Sequence, residues 1–441
     1  MKKISLIAAA MFAAVSSMPA AYADYTPNIY FNGYLRSGVF HGKGGSSYNF
    51  NKQKVGRLGN ENDTYGEIAL GSDVIKTDDT IWSVHSRLTI SNTDKNRDYQ
   101  DSSKTDEHEK AQVGCRELFV DAKGLLDFDK DATVWVGKRF YKREDIHITD
   151  FYYYDISGNG AGLENLQVGP GKLDLAWMRR DDKTDGYYAS TNEEVDKFVS
   201  VNTLDARYNF TVWDNANLEL GNAYYIADRD NKDGSITGDV DNANTFTIEL
   251  NQGFNGGWNK VIYQWMHGSN ARYFDTGTPT WLDYTGASNS ANAHRIINTG
   301  DITITDKFKL QHVELFAYGS GYDHNITDLD SKTNFSVVIR PFYQLTKMTR
   351  LIWEAGAYID TQKKLDGSKD KQKGQKLTMA YALTPDASNM WSRPEIRFFV
   401  SYIHGTESID GDRQKVNLTK YTGDVDYNHN IMFGAQVEAW W

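Results

Sequence analysis

The sequence predicts an all-β protein, an antiparallel β-barrel that crosses a membrane, formed by one domain over residues 24–441. Apolar and polar residues alternate with period two from end to end. No run after residue 23 is long and apolar enough to span a bilayer as a helix, and the last strand finishes on an outward aromatic, Trp441. In such a barrel the lipid-facing and lumen-facing residues average out. That suits a mean hydropathy of −0.60 beside 11 Trp, 27 Tyr and 20 Phe.

The first element is an export signal, residues 1–23. Met1-Lys2-Lys3 precedes an apolar run from Ile4 to about Val15, and Ala21-Tyr22-Ala23 supplies an A-x-A cleavage site before Asp24. The run is shorter than the ~20 residues of a spanning helix. No Cys follows the cleavage site, so a lipoprotein is not indicated.

Strands follow. Ile29, Phe31, Leu35 and Val39 oppose Asn32, Tyr34 and Arg36; Trp82, Val84, Leu88 and Ile90 oppose Ser83, His85, Arg87 and Thr89; Ile396, Phe398, Val400 and Tyr402 oppose Glu395, Arg397 and Ser401. A soluble sandwich would turn its apolar face inward. Here the second face repeatedly carries charge and needs a second aqueous compartment. The chain ends with Phe433, Ala435, Val437, Ala439 and Trp441 on one face and Gln436, Glu438 and Trp440 on the other, as a closing strand would. Short turn signals such as Asn255-Gly256-Gly257 alternate with longer polar stretches at residues 92–110, 181–197 and 363–376, which are expected to be loops.

A formal charge of −11 argues against nucleic acid as a partner. The lone Cys115 excludes an intrachain disulfide and reads as a small apolar filler. An enzyme is not expected. Asp145-x-His147 is the nearest acid–base pair, but two residues on an extended segment need not be partners. Ser157-Gly158-Asn159-Gly160 lacks the pattern of a nucleophile elbow, and Asn231-Lys232-Asp233-Gly234 lacks the leading Asp and closing Glu of a calcium loop. No catalytic residue, metal or cofactor is assigned.

The densest chemistry lies between Gly137 and Gly162, GKRFYKREDIHITDFYYYDISGNGAG, where basic, acidic and aromatic side chains interleave too closely for an apolar core. Such a segment lines something wet. Charged groups that hydrogen-bond hydroxyls, beside aromatic faces that hold apolar ring surface, suit sugar as well as water.

This block resembles the pore-constricting inner loop of the maltoporins, sugar-selective porins of Gram-negative outer membranes. The resemblance runs in order through Gly33-Tyr34, Arg36-Ser37-Gly38, Arg57-Leu58-Gly59-Asn60-Glu61, Thr64-Tyr65, Leu218-Glu219-Leu220-Gly221, Trp391-Ser392-Arg393-Pro394 and Phe433-Gly434-Ala435-Gln436. It implies an 18-stranded antiparallel transmembrane β-barrel with an inward-folded constriction loop, assembled as a homotrimer and passing maltose and maltodextrins passively. It implies an aromatic slide of Tyr34, Tyr65, Trp258, Trp391 and Trp440, of which Tyr34, Trp391 and Trp440 also read as lumen-facing on their strands. It further implies an ionic track of Arg36, Arg57, Glu67, Arg116, Arg143, Asp145 and Asp150, with Tyr152 as steric gate. Arg143, Tyr152 and Asp155 match the maltodextrin type rather than the sucrose branch. By the same resemblance the partners are outer-membrane lipid and lipopolysaccharide, and a periplasmic sugar-binding protein and a phage are among those a member can have.

The chain departs from the family pattern in places. Trp258 stands where Phe is usual, Tyr154 and Asn159 replace Trp and Pro, and the usual early Cys pair is missing. His108 occupies the place of a vestibule Trp, with Tyr99 in the same loop as the other ring that could serve. A porin for another oligosaccharide or glucoside, and a general diffusion porin, are the alternative readings.

Overall fold

The computed structural model describes residues 27–42, 50–92, 112–187, 194–227, 240–275, 282–283, 286–409, 412–415 and 429–441. The export signal, Tyr99 and His108 lie outside them. In chain order the strands begin with β1 (Ile29–Gly42), β2 (Thr64–Lys76), β3 (Ile81–Asn92), β4 (Gln112–Lys123), β5 (Thr133–Arg139), β6 (Glu144–Ile146) and β7 (Phe151–Tyr154). Next come β8 (Gly158–Val168), β9 (Gly171–Tyr187), β10 (Glu194–Trp213), β11 (Ala216–Ala227), β12 (Ala243–Phe254), β13 (Gly257–Gly268) and β14 (Asn292–Thr303). The last are β15 (Phe308–Ser320), β16 (Leu329–Gln344), β17 (Thr349–Lys364), β18 (Lys369–Leu383), β19 (Glu395–Ile409), β20 (Asp412–Lys415) and β21 (His429–Trp440).

Each strand pairs antiparallel with its neighbour, β5 pairs directly with β8, and β21 pairs with both β19 and β1. The sheet therefore closes into a barrel of eighteen strands. β20 is a short extension on β19, and β6 and β7 form a separate hairpin inside the wall. Closure leaves no open edge, so the backbone hydrogen bonds are satisfied within the wall, as a hydrocarbon surround requires.

Burial is inverted relative to a water-soluble protein. Phe31, Val39, Val136, Leu377 and Phe433 face outward and exposed, whereas Arg207, Arg295, Glu354, Lys376 and Glu438 are buried inside. The predicted alternation therefore holds, with charge toward the lumen. Outward aromatics gather near both ends, with Trp82, Trp213, Tyr343 and Tyr381 by the short turns and Tyr224 and Tyr318 by the long connections.

Two of the polar stretches expected as loops are strand. Residues 363–376 continue β17 into β18 through a tight turn at Gly367, whose φ is +87°, and residues 181–187 and 194–197 extend β9 and β10. A two-stranded ribbon beyond the bilayer pairs its own backbone groups and leaves both faces wet, so it needs no apolar side chain.

The segment between β5 and β8 folds into the lumen and is held there by the wall. Buried Arg295 donates to the carbonyls of Tyr153 (2.8 Å) and Phe274 (2.6 Å) and to the side chain of Gln264. Arg340 donates to the Ile148 carbonyl at 3.1 Å and to Glu354 at 2.6 Å. Glu354 also accepts from the Leu58 amide (3.0 Å) and Lys376 (2.5 Å), so one carboxylate ties the β1–β2 connection, with its short helix Lys52–Val55, to the same side of the wall. Arg295→Leu should lower unfolding stability by about 2–3 kcal/mol, because buried acceptors lose their donors. Open-channel current noise should rise as the inner loop loses its anchor. Thermal unfolding in detergent and single-channel recording check the two effects.

Candidate functional site: the lumen and its constriction

A cavity of about 500 Å³ runs through the lumen, and Tyr34, Tyr65, Trp258, Trp391 and Trp440 all line it. Tyr34 on β1 lies opposite Trp440 on β21, and its ring centroid is 6.1 Å from that of Tyr65 on β2. Trp440 and Trp391 follow at 6.3 Å. His147 of the inner loop stands edge-on to both, at 5.6 and 5.2 Å. Trp258 on β13 continues the row, its indole N–H donating to Asp301 at 3.1 Å. Trp391 does not sit on the lumen face of a strand, as expected. It lies in the turn between β18 and β19, where its backbone N–H donates to the Asn389 side chain at 3.0 Å and the turn swings its indole inward.

Charged residues face this row. Arg36 forms a two-point pair with Asp63 at 2.9 and 2.7 Å, and Lys52 bonds Glu61 at 2.8 Å and Asp150 at 2.5 Å. Arg57 donates to Glu61 at 2.7 Å and to the Tyr34 hydroxyl at 2.8 Å. Glu67 accepts from the Tyr65 hydroxyl at 2.5 Å and from Arg87 at 2.7 Å. The Arg143 guanidinium lies 4.2 Å from the ring centres of both Phe140 and Tyr152, a double cation–π contact, with Asp155 at 3.7 Å and Glu67 at 3.9 Å. Asp145 is the cross-strand neighbour of Tyr152 in the β6–β7 hairpin.

Arg116 and Asp155 line a second cavity of about 570 Å³. Arg36, Tyr65, Arg143, Asp150 and Tyr152 line both, and so form the boundary between them. Arg116 reaches the lumen through a β-bulge: Glu117 pairs with Arg87 and Cys115 with Leu88, leaving Arg116 as the extra residue. Cys115 is exposed and shares the outer face with Leu88, so it is an outward residue of the wall rather than an interior filler.

Sequence reasoning missed Glu438, His147 and Asp301 as organisers. Glu438 is buried and accepts from Tyr34 (3.1 Å), His147 (3.3 Å), Arg393 (2.8 Å) and Arg397 (2.5 Å), with Arg57 at 3.2 Å. Its inward direction was legible two residues before Trp440; its partners, from distant strands and the inner loop, were not. His147 thus turns to Glu438, and it is held neutral, with its pKa pushed down to about 4 by burial.

The inner loop does not cross the membrane, and its carboxylates differ. Burial raises Asp150, but Arg57, Lys52 and Arg36 outweigh it and hold the group below the usual carboxylate range. Asp145 opens to the lumen yet is crowded by protein, and that desolvation, with the charge of Asp150, pushes it up to about 6. Protonation removes a negative charge from the lumen beside the inner loop, so preference for cations over anions should fall as pH drops from 7 to 5. Reversal-potential measurements across a salt gradient check this, and Asp145→Asn should show the low-pH selectivity at both pH values.

Residues 29–441 match the LamB porin family. Maltoporin 1 of Klebsiella pneumoniae subsp. pneumoniae is 38% identical over 445 aligned positions, spanning 100% of this chain and 99% of its own length. Maltoporin 2 of Yersinia pseudotuberculosis serotype O:1b is 38% identical over 415 positions, 93% of each chain. Among solved structures, OccD3 of Pseudomonas aeruginosa shows a TM-score of 0.48 at 10% identity, over 94% of this chain and 91% of that one. The chain belongs to the LamB porin family, and its barrel is an outer-membrane porin.

Proposed function

We propose that this porin is selective for maltose and maltodextrins, which it passes by passive diffusion along Tyr65, Tyr34, Trp440, Trp391 and Trp258. The observation that carries the reading is that these five rings line one cavity, which meets a second at Arg143 and Tyr152. A pyranose presents an apolar C–H face to an aromatic ring, and rings spaced along a path allow sliding without one deep well. Charged groups along the opposite side exchange hydrogen bonds with successive hydroxyls and replace lost hydration. The relatives named maltoporin support the choice of sugar. In this reading the protein is a homotrimer set in outer-membrane lipid and lipopolysaccharide, with residues 1–23 removed on export.

Sugar block of single-channel current tests the proposal. Trp391→Ala and Trp440→Ala should each weaken maltodextrin block by ~0.5–1.5 kcal/mol, the value of one aromatic contact, with little change in small-ion conductance. Unchanged block in both would move the sugar path off these rings. Tyr152→Ala should raise ion conductance by opening the constriction, and an unaltered conductance would place the narrowest point elsewhere. A general diffusion porin would show no block by maltodextrins at all; a porin for another glucoside would be blocked better by that sugar.

A further inference from the structure

Trp258 and Trp391 reach the lumen from separate parts of the barrel, one on β13 and one in the β18–β19 turn, yet their indole N–H groups donate to the same oxygen. Oδ2 of Asp301 accepts from Trp258 at 3.1 Å and from Trp391 at 2.8 Å, while Oδ1 accepts from the Gln311 side chain at 3.1 Å. We infer that Asp301 is a positioning residue that locks these two indoles into one double-stacking station at the short-turn end of the sugar path, a role that rests on the function proposed above.

The geometry is specific. Trp258 and Asp301 are direct cross-strand partners, and the approach is tight: a Cβ on the preceding Gly257 would lie 1.9 Å from the Asp301 carbonyl oxygen. Asp301 is itself buried and both its oxygens are occupied by protein donors, so it acts through the rings and not by holding hydroxyls.

Two physical effects follow. An indole tied at its N–H loses little further freedom when a sugar stacks on it, so less entropy opposes binding. Donation to a carboxylate also makes the ring face more electron-rich toward sugar C–H groups. A phenylalanine at position 258 would keep a ring but have no N–H to donate, so the clasp depends on the indoles of both Trp258 and Trp391.

The test uses the full-length protein in planar bilayers, with maltotriose and maltohexaose as probes. Asp301→Leu should shorten sugar residence by about tenfold, while Asp301→Asn, whose side-chain oxygen can still accept both N–H groups, should stay within about threefold of wild type. In ultraviolet resonance Raman spectra of the sugar-free protein, the indole N–H band should move toward the unbonded position in the Leu variant and not in the Asn variant. Trp258→Phe keeps a ring but releases the clasp, so it should shorten residence too. Adding Asp301→Leu to Trp258→Phe should then cost less than it does alone. An unmoved Raman band, wild-type residence in Trp258→Phe, or strictly additive effects would each overturn the inference; if Asp301→Leu does not assemble, Trp258→Phe decides. Absence of block in the wild-type channel would sink the choice of sugar, and the Raman comparison would still decide the clasp.

Discussion

A wall that turns its charges inward must match each buried ion with another, and Glu438 answers three arginines at the seam where β21 meets β1 and β19. Removing one partner of such a cluster leaves uncompensated charge in a confined space, which is far costlier than losing a surface pair. The same carboxylate receives the Tyr34 hydroxyl and His147, and Arg393, held by it at 2.8 Å, lies 4.1 Å from the Trp440 ring centre. Barrel closure, the placement of three aromatic side chains and the seating of the inner loop thus share one electrostatic centre.

The inner loop behaves as part of the wall. Arg295 and Arg340 donate to its carbonyls, Tyr153 donates to Glu249 at 2.6 Å, and Tyr154 donates to Asp205 on β10. These anchors come from β10, β12, β14 and β16, so one arc of the wall holds the loop at several points. Tied in this way, the loop is held by the wall along its length. The charged side chains beside it are mostly paired with one another.

The aromatic row is positioned by hydrogen bonds at ring edges. Tyr34 is tied through its hydroxyl to Arg57 and Glu438, Tyr65 to Glu67, and Trp258 and Trp391 to Asp301. Fixing an aromatic by its polar edge leaves its face open to a sugar, so rigidity does not compete with binding. Conduction needs contacts that are individually modest, since a single tight site would trap the cargo.

The alternation of charge and apolar side chains in the amino-acid sequence determined the barrel, because period two assigns each residue of a strand to one face before any neighbour is known. It also determined that Tyr34, Glu438 and Trp440 point inward, and resemblance extended this to Tyr65 and Trp258. Other features belong to the closed sheet alone. Trp391 enters from a turn, where period two has no meaning, and residues 363–376 form a ribbon whose backbone pairing no hydrophobic pattern announces. Arg116 enters the lumen through a bulge that only register with Arg87 and Leu88 reveals. Glu438 meets Tyr34, Arg57 and His147, Glu354 meets the Leu58 amide, and Asp301 meets Trp391, all partners far away in the chain that only the closed barrel brings within reach.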